Sequence, residues 1–170
     1  MTARWTSLLL GFTLVMSAAA SLEAVRGPST PEERERLVAI TQKLEASPLD
    51  QALYKERDWA QQLLLEIPDV HIRTCTSLLR DIRRPRYKFR SELWMQVRLA
   101  GAVYLLQHPD HPDDHLGEHL AGLQSALKTY SALVKANADA HSKPLDDLVE
   151  KQKQGKLEGV VRDLISPCHF

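Results

Sequence analysis

The chain has 170 residues, 44% hydrophobic and 26% charged, with 22 Lys plus Arg against 22 Asp plus Glu. That is the makeup of one ordinary globular domain with enough apolar material for a real core. The even charge balance argues against a global pull toward nucleic acid or a membrane surface.

Met1–Thr6 carries Arg4 and the amino terminus as positive charge, Ser7–Ser17 is apolar, and Ala18-Ala19-Ala20 supplies small residues. This is the layout of a secretory signal peptide over 1–20, cleaved near Ala20. The apolar run falls short of the roughly 20 residues that span a bilayer, and no later stretch reaches that length. Cleavage removes one base and no acid, leaving a net charge of −1. The expected location is the periplasm of a two-membrane bacterium or the extracellular space.

Residues 21–30, with Gly27 and Pro28, read as a flexible tail. Thr30-Pro31-Glu32-Glu33 then opens a helix, with a hydroxyl cap, proline in the first turn and acids at the positive end. Leu37, Ile40 and Leu44 mark its buried side. Ser47-Pro48-Leu49-Asp50 repeats the signal and predicts a second helix to about Glu66, burying Trp59, Ala60, Leu63 and Leu64. His71–Ile82 reads as a short helix carrying Cys75, and a break around Pro85 follows.

Residues 91–107, SELWMQVRLAGAVYLLQ, are apolar nearly all round and predict a buried central helix. After a turn with Pro109 and Pro112, the segment from Asp113 to Asn137 repeats Leu116, Leu120, Leu123, Leu127, Tyr130 and Val134 at steps of four and three, a narrow helical stripe. Ser142 and Pro144 open a further helix that Gly155 closes. Leu157, Val160, Val161, Leu164 and Ile165 form the last one, stopped by Pro167. No segment alternates with period two. The expected fold of 31–170 is therefore a single all-α domain, a compact bundle or array of about six to seven helices around 91–107 with no sheet. Paired helices also occur in tetratricopeptide-type solenoids, but segments offset by about 34 residues share no glycine, tyrosine and proline framework.

Cys75 and Cys168 form an even pair, and in an oxidising compartment they predict a disulfide. Closing a loop of roughly 90 residues is worth on the order of 4–5 kcal/mol in the chain-entropy model. The pair lacks the Cys-x-x-Cys spacing of redox chemistry.

Two stretches hint at a site. His108–His119 holds four of the seven histidines, together with Asp110, Asp113, Asp114 and Glu118. Imidazole and carboxylate suit a transition-metal ion such as zinc. His115 and His119 stand one helical turn apart, with His111 and Asp110 as further ligands. Residues 115–119, HLGEH, also match the letters His-x-x-Glu-His of inverted zinc metalloproteases. Nothing else in the chain agrees with those enzymes, and taking Leu116 as the centre of the buried stripe sends Glu118 to the wet side. The plainer reading of this loop is a solvated turn and helix start.

The second stretch is Arg80–Arg90, where Arg80, Arg83, Arg84, Arg86, Lys88 and Arg90 stand against one acid and are interleaved with Tyr87 and Phe89. Such a composition grips anions, and in an exported chain the partner would be an unknown protein or an anionic envelope component, not nucleic acid. No nucleophile elbow, phosphate loop or close carboxylate pair is present. The leading expectation is a non-enzymatic binding domain with no cofactor and its contact surface at 80–90; the alternative is a metal-binding protein using 108–119.

Overall fold

The computed structural model describes residues 26–80, 82 and 86–170. The expected signal peptide lies outside the described residues, and so do Arg83 and Arg84. Seven α-helices occur among the described residues: α1 Pro31–Ala46, α2 Tyr54–Glu66, α3 Thr76–Leu79, α4 Arg90–Gln107, α5 His115–Ala136, α6 Lys143–Lys153 and α7 Leu157–Ile165. No strand is formed among them, and none of the helices is long and apolar enough to cross a membrane. The all-α fold follows from the helical periodicities of the sequence.

Local chemistry fixes the helix ends. Thr30 closes a capping box at α1: Glu33 N–H donates to Thr30 Oγ1 at 3.2 Å and Thr30 N–H donates to Glu33 Oε2 at 2.9 Å. The start of α2 is displaced from Ser47. Asp50 caps a single 3-10 turn, Gln51–Leu53, and the α-helix begins only at Tyr54. Asp114 caps α5, its Oδ1 accepting from Gly117 N–H at 2.9 Å. The expected helix over His71–Ile82 shrinks to the four residues of α3, leaving Val70–Cys75 without turn or bend.

The all-round apolarity of α4 has a direct cause, since α4 stands between two cores. Leu93 and Val97 pack with Leu123, Leu127 and Leu133 of α5, with Leu145, and with Leu157 and Val161. Leu99, Ala102 and Leu105 pack on the other side with Leu37, Ile40 and Leu44 of α1 and with Ala60, Leu63 and Leu64 of α2.

α4 and α5 approach closely because small residues lie between them. A Cβ on Gly122 would stand 2.8 Å from the Val97 carbonyl oxygen, and one on Gly101 would stand 3.3 Å from Glu118 Cγ. Gln96, 1% exposed, ties three helices together: its Nε2 donates to the Thr41 carbonyl of α1 at 2.9 Å and to Ser125 Oγ of α5 at 2.7 Å.

Both ends of the described residues are held. Cys75 and Cys168 are joined by a disulfide, their Cα atoms 5.8 Å apart, which fixes the carboxy-terminal residues beside the segment before α3. Of the expected tail, residues 26–30 are anchored. Arg26 pairs with Glu33 and Glu66, and the buried Ser29 donates from its N–H and hydroxyl to Asp69 at 3.0 and 2.7 Å.

Candidate functional site

The described residues of the basic connector are anchored to the core. Ile82 and Phe89 are buried. Tyr87 is half-buried, its hydroxyl donates to the Ala140 carbonyl at 3.0 Å, and its ring meets Phe89 edge-on at 6.0 Å. Burial, with Tyr130 and Glu92 nearby, raises the Tyr87 phenol above its ordinary range. Tyr87 and Phe89 therefore pack against the core, and Tyr87 spends its hydroxyl inside the fold. Arg80, Arg86, Lys88 and Arg90 are exposed. Among the described residues, no carboxylate pairs with Arg80 or Arg86.

The histidine loop divides into two environments. Asp110 and His111 are exposed. His108 stacks on Tyr104 at 4.2 Å, and Tyr104 donates its hydroxyl to Asp114 Oδ2 at 2.5 Å. Hydrogen bonds from Tyr104 and from Gly117 N–H hold the Asp114 carboxyl below the usual carboxylate range. A Cβ on Gly117 would fall 2.1 Å from the Tyr104 hydroxyl, so a larger residue there would displace the tyrosine from Asp114. His119, by contrast, is buried at 3% exposure, and the buried Nδ1 of His115 makes no hydrogen bond among the described residues. Among the described residues, no three His, Cys, Asp or Glu side chains converge to hold a metal ion. His111, His115, His119 and Asp110 are thus not brought together.

Glu118 corrects the sequence reading. It does not face water: it is 3% exposed. Its Oε1 accepts the Arg73 backbone N–H at 2.8 Å, while Oε2 has no hydrogen-bond partner among the described residues and lies 3.8 Å from His115 Nδ1 and 4.0 Å from His119 Nδ1. His119 Nδ1 is 2.7 Å from the His115 carbonyl oxygen. A carbonyl can only accept, so Nδ1 carries the proton and the buried Nε2 is left without a hydrogen-bond partner among the described residues. Phe170 closes this cluster, its ring stacked on His115 at 4.2 Å and tilted over His119 at 5.2 Å.

Burial pushes the Glu118 carboxyl up to about 7, against the opposing pull of the Arg73 N–H and the Arg73 charge. Burial also lowers the His119 imidazole, although its bond to the His115 carbonyl works the other way. Desolvation disfavours the charged form of both groups, so the pair favours a neutral acid beside a neutral imidazole.

The signal for Glu118 is present in the sequence but is not hydrophobic. Glu118, Gly122, Ser125 and Thr129 step by 4, 3 and 4, and all are buried. This second stripe of small and polar residues lies beside the leucine stripe, and it is the one that lets α4 come close.

No known protein family, curated protein or solved structure matches the chain.

Proposed function

We propose that the chain is an exported, non-enzymatic helical domain that binds an anionic partner through the basic connector 80–90. The observation that carries this reading is a loop pinned by Ile82, Tyr87 and Phe89 that exposes Arg80 and Arg86 without carboxylate partners among the described residues. Arg26, Lys43, Lys143 and Arg162, by contrast, spend part of their charge on neighbouring acids. Cations left without a carboxylate partner beside residues packed into the core are organised for an external anion. Export is supported by the disulfide, which belongs to oxidising compartments.

Immobilised heparin serves as a model polyanion for the test. Wild-type protein is expected to be retained and to elute with salt, while R83E/R84E/R86E passes unretained with an unchanged melting temperature. Equal retention of the variant would remove the connector from the contact surface.

A further inference from the structure

The segment before α3 carries a second basic feature. Val70–Thr74 lines one side of a surface groove of about 690 Å³, and Trp94 and Arg98, one turn apart on α4, line the other. His71, Arg73 and Arg98 supply positive or protonatable groups to its walls, and no acid lines it. Neither Arg73 nor Arg98 makes an ion pair among the described residues. Val70 and Leu64 add buried apolar side chains to its lining.

The backbone of this segment is also uncommitted. It runs without turn or bend, and Cys75 at its end is extended at φ −100 and ψ 115. Of its N–H groups, that of Arg73 is taken, inward, by the buried Glu118. The backbone N–H and C=O groups of Ile72 and Thr74 make no hydrogen bond among the described residues. In an extended chain, successive backbone groups alternate in direction. If Arg73 points its N–H to the interior, Ile72 and Thr74 point theirs outward. An unpaired edge of this kind is a template for another strand.

We infer that this groove takes an extended acidic segment of a partner polypeptide, which pairs its backbone with Ile72 and Thr74 and sets carboxylates on Arg73 and Arg98. Glu118 is the positioning residue: from inside the fold it holds the Arg73 backbone in place. The inference rests on reading the chain as a binding domain for anionic partners and names the partner's chemistry at a second contact.

The test titrates a labelled peptide, acetyl-Glu-Val-Glu-Val-Glu-Val-amide, into the full chain. Three controls accompany it: the Lys-for-Glu peptide, the same acidic peptide N-methylated at alternate amides, and vesicles of anionic phosphatidylglycerol. Saturable binding of the acidic peptide is expected, with at least a tenfold loss on N-methylation, no binding of the lysine peptide and no saturable binding to the vesicles. R73E/R98E should weaken the acidic peptide at least tenfold, whereas R80E/R86E should change it less than threefold. Equal binding of the N-methylated peptide, or vesicle binding that replaces peptide binding, overturns strand pairing with wild-type protein alone, whatever the variants do to the fold. Heparin retention without peptide binding defeats the groove and leaves the connector reading standing; loss of both defeats the two together.

Discussion

Glu118 offers the sharpest physical test, because a buried acid raised to about 7 must leave its mark on stability. Raising a carboxyl from its ordinary 4.5 to about 7 corresponds to about 3 kcal/mol, at about 1.4 kcal/mol per tenfold change in proton affinity. The folded form binds the proton more tightly than the unfolded chain. Its stabilising contribution is therefore complete below about pH 4.5 and is lost as pH rises through 7. His119 works in the opposite sense. Its imidazole is lowered in the fold, so stability from its neutral form is present above about 6.5 and is lost as pH falls. Glu118→Gln separates the two effects, since glutamine keeps an oxygen for the Arg73 N–H and cannot ionise. Urea unfolding of both proteins at half-unit steps from pH 4 to pH 8.5 gives the difference directly. The variant's stability minus that of the wild type should climb by about 3 kcal/mol across the interval, most of it between pH 4.5 and 7. A flat difference would mean that the carboxylate is solvated or paired in the native state, and the buried-acid account would fall.

Other consequences concern the frame around this cluster. Replacing both cysteines, C75A/C168A, should cost about 4–5 kcal/mol by the loop-closure estimate for a separation of 93 residues, read by urea unfolding; a loss below 1 kcal/mol would show that the carboxy terminus is held without the bridge. Gly122→Ala should cost about 1–3 kcal/mol, because its Cβ meets the Val97 carbonyl oxygen at 2.8 Å and a backbone atom cannot swing aside; an unchanged melting temperature would contradict the close α4–α5 approach. Gln96→Leu removes the donor shared by the Thr41 carbonyl and Ser125 Oγ, and the loss should be about 1–3 kcal/mol by calorimetry or urea. Since no three ligands converge among the described residues, metal analysis of the purified protein should find no stoichiometric zinc, and a chelator should leave the melting temperature where it was.

The parts of the fold that were legible in the sequence are those governed by local chemistry or by apolar periodicity. The Thr30 capping box, the apolar surround of α4 and the Cys75–Cys168 bridge follow from residue type and spacing alone. What was not legible depends on contacts between distant segments. Helix α2 starts late because Asp50 caps a 3-10 turn first, an outcome that the equally good cap at Ser47 conceals. Glu118 is buried because Gly101 on α4 makes room, Arg73 lends an N–H, and Phe170 is brought over the neighbouring histidines near the bridge. A projection centred on leucines sees none of these. The stripe of Glu118, Gly122, Ser125 and Thr129 shows that small and polar residues can mark the most intimate helix contact as well as leucines do. The candidate metal ligands do not converge among the described residues for a related reason: His115 and His119 share a helix face, but Phe170 occupies the space over their rings while His111 remains on the outer turn.

The contact surface itself is tested most directly by amide chemical-shift mapping with a heparin-derived oligosaccharide at low salt. The connector reading expects the largest shifts at Arg80, Arg86, Lys88 and Arg90, fading as salt is raised, with the exposed lysines 151, 153 and 156 left nearly unmoved. Shifts concentrated on those lysines or on the 108–119 loop, with the connector silent, would contradict it.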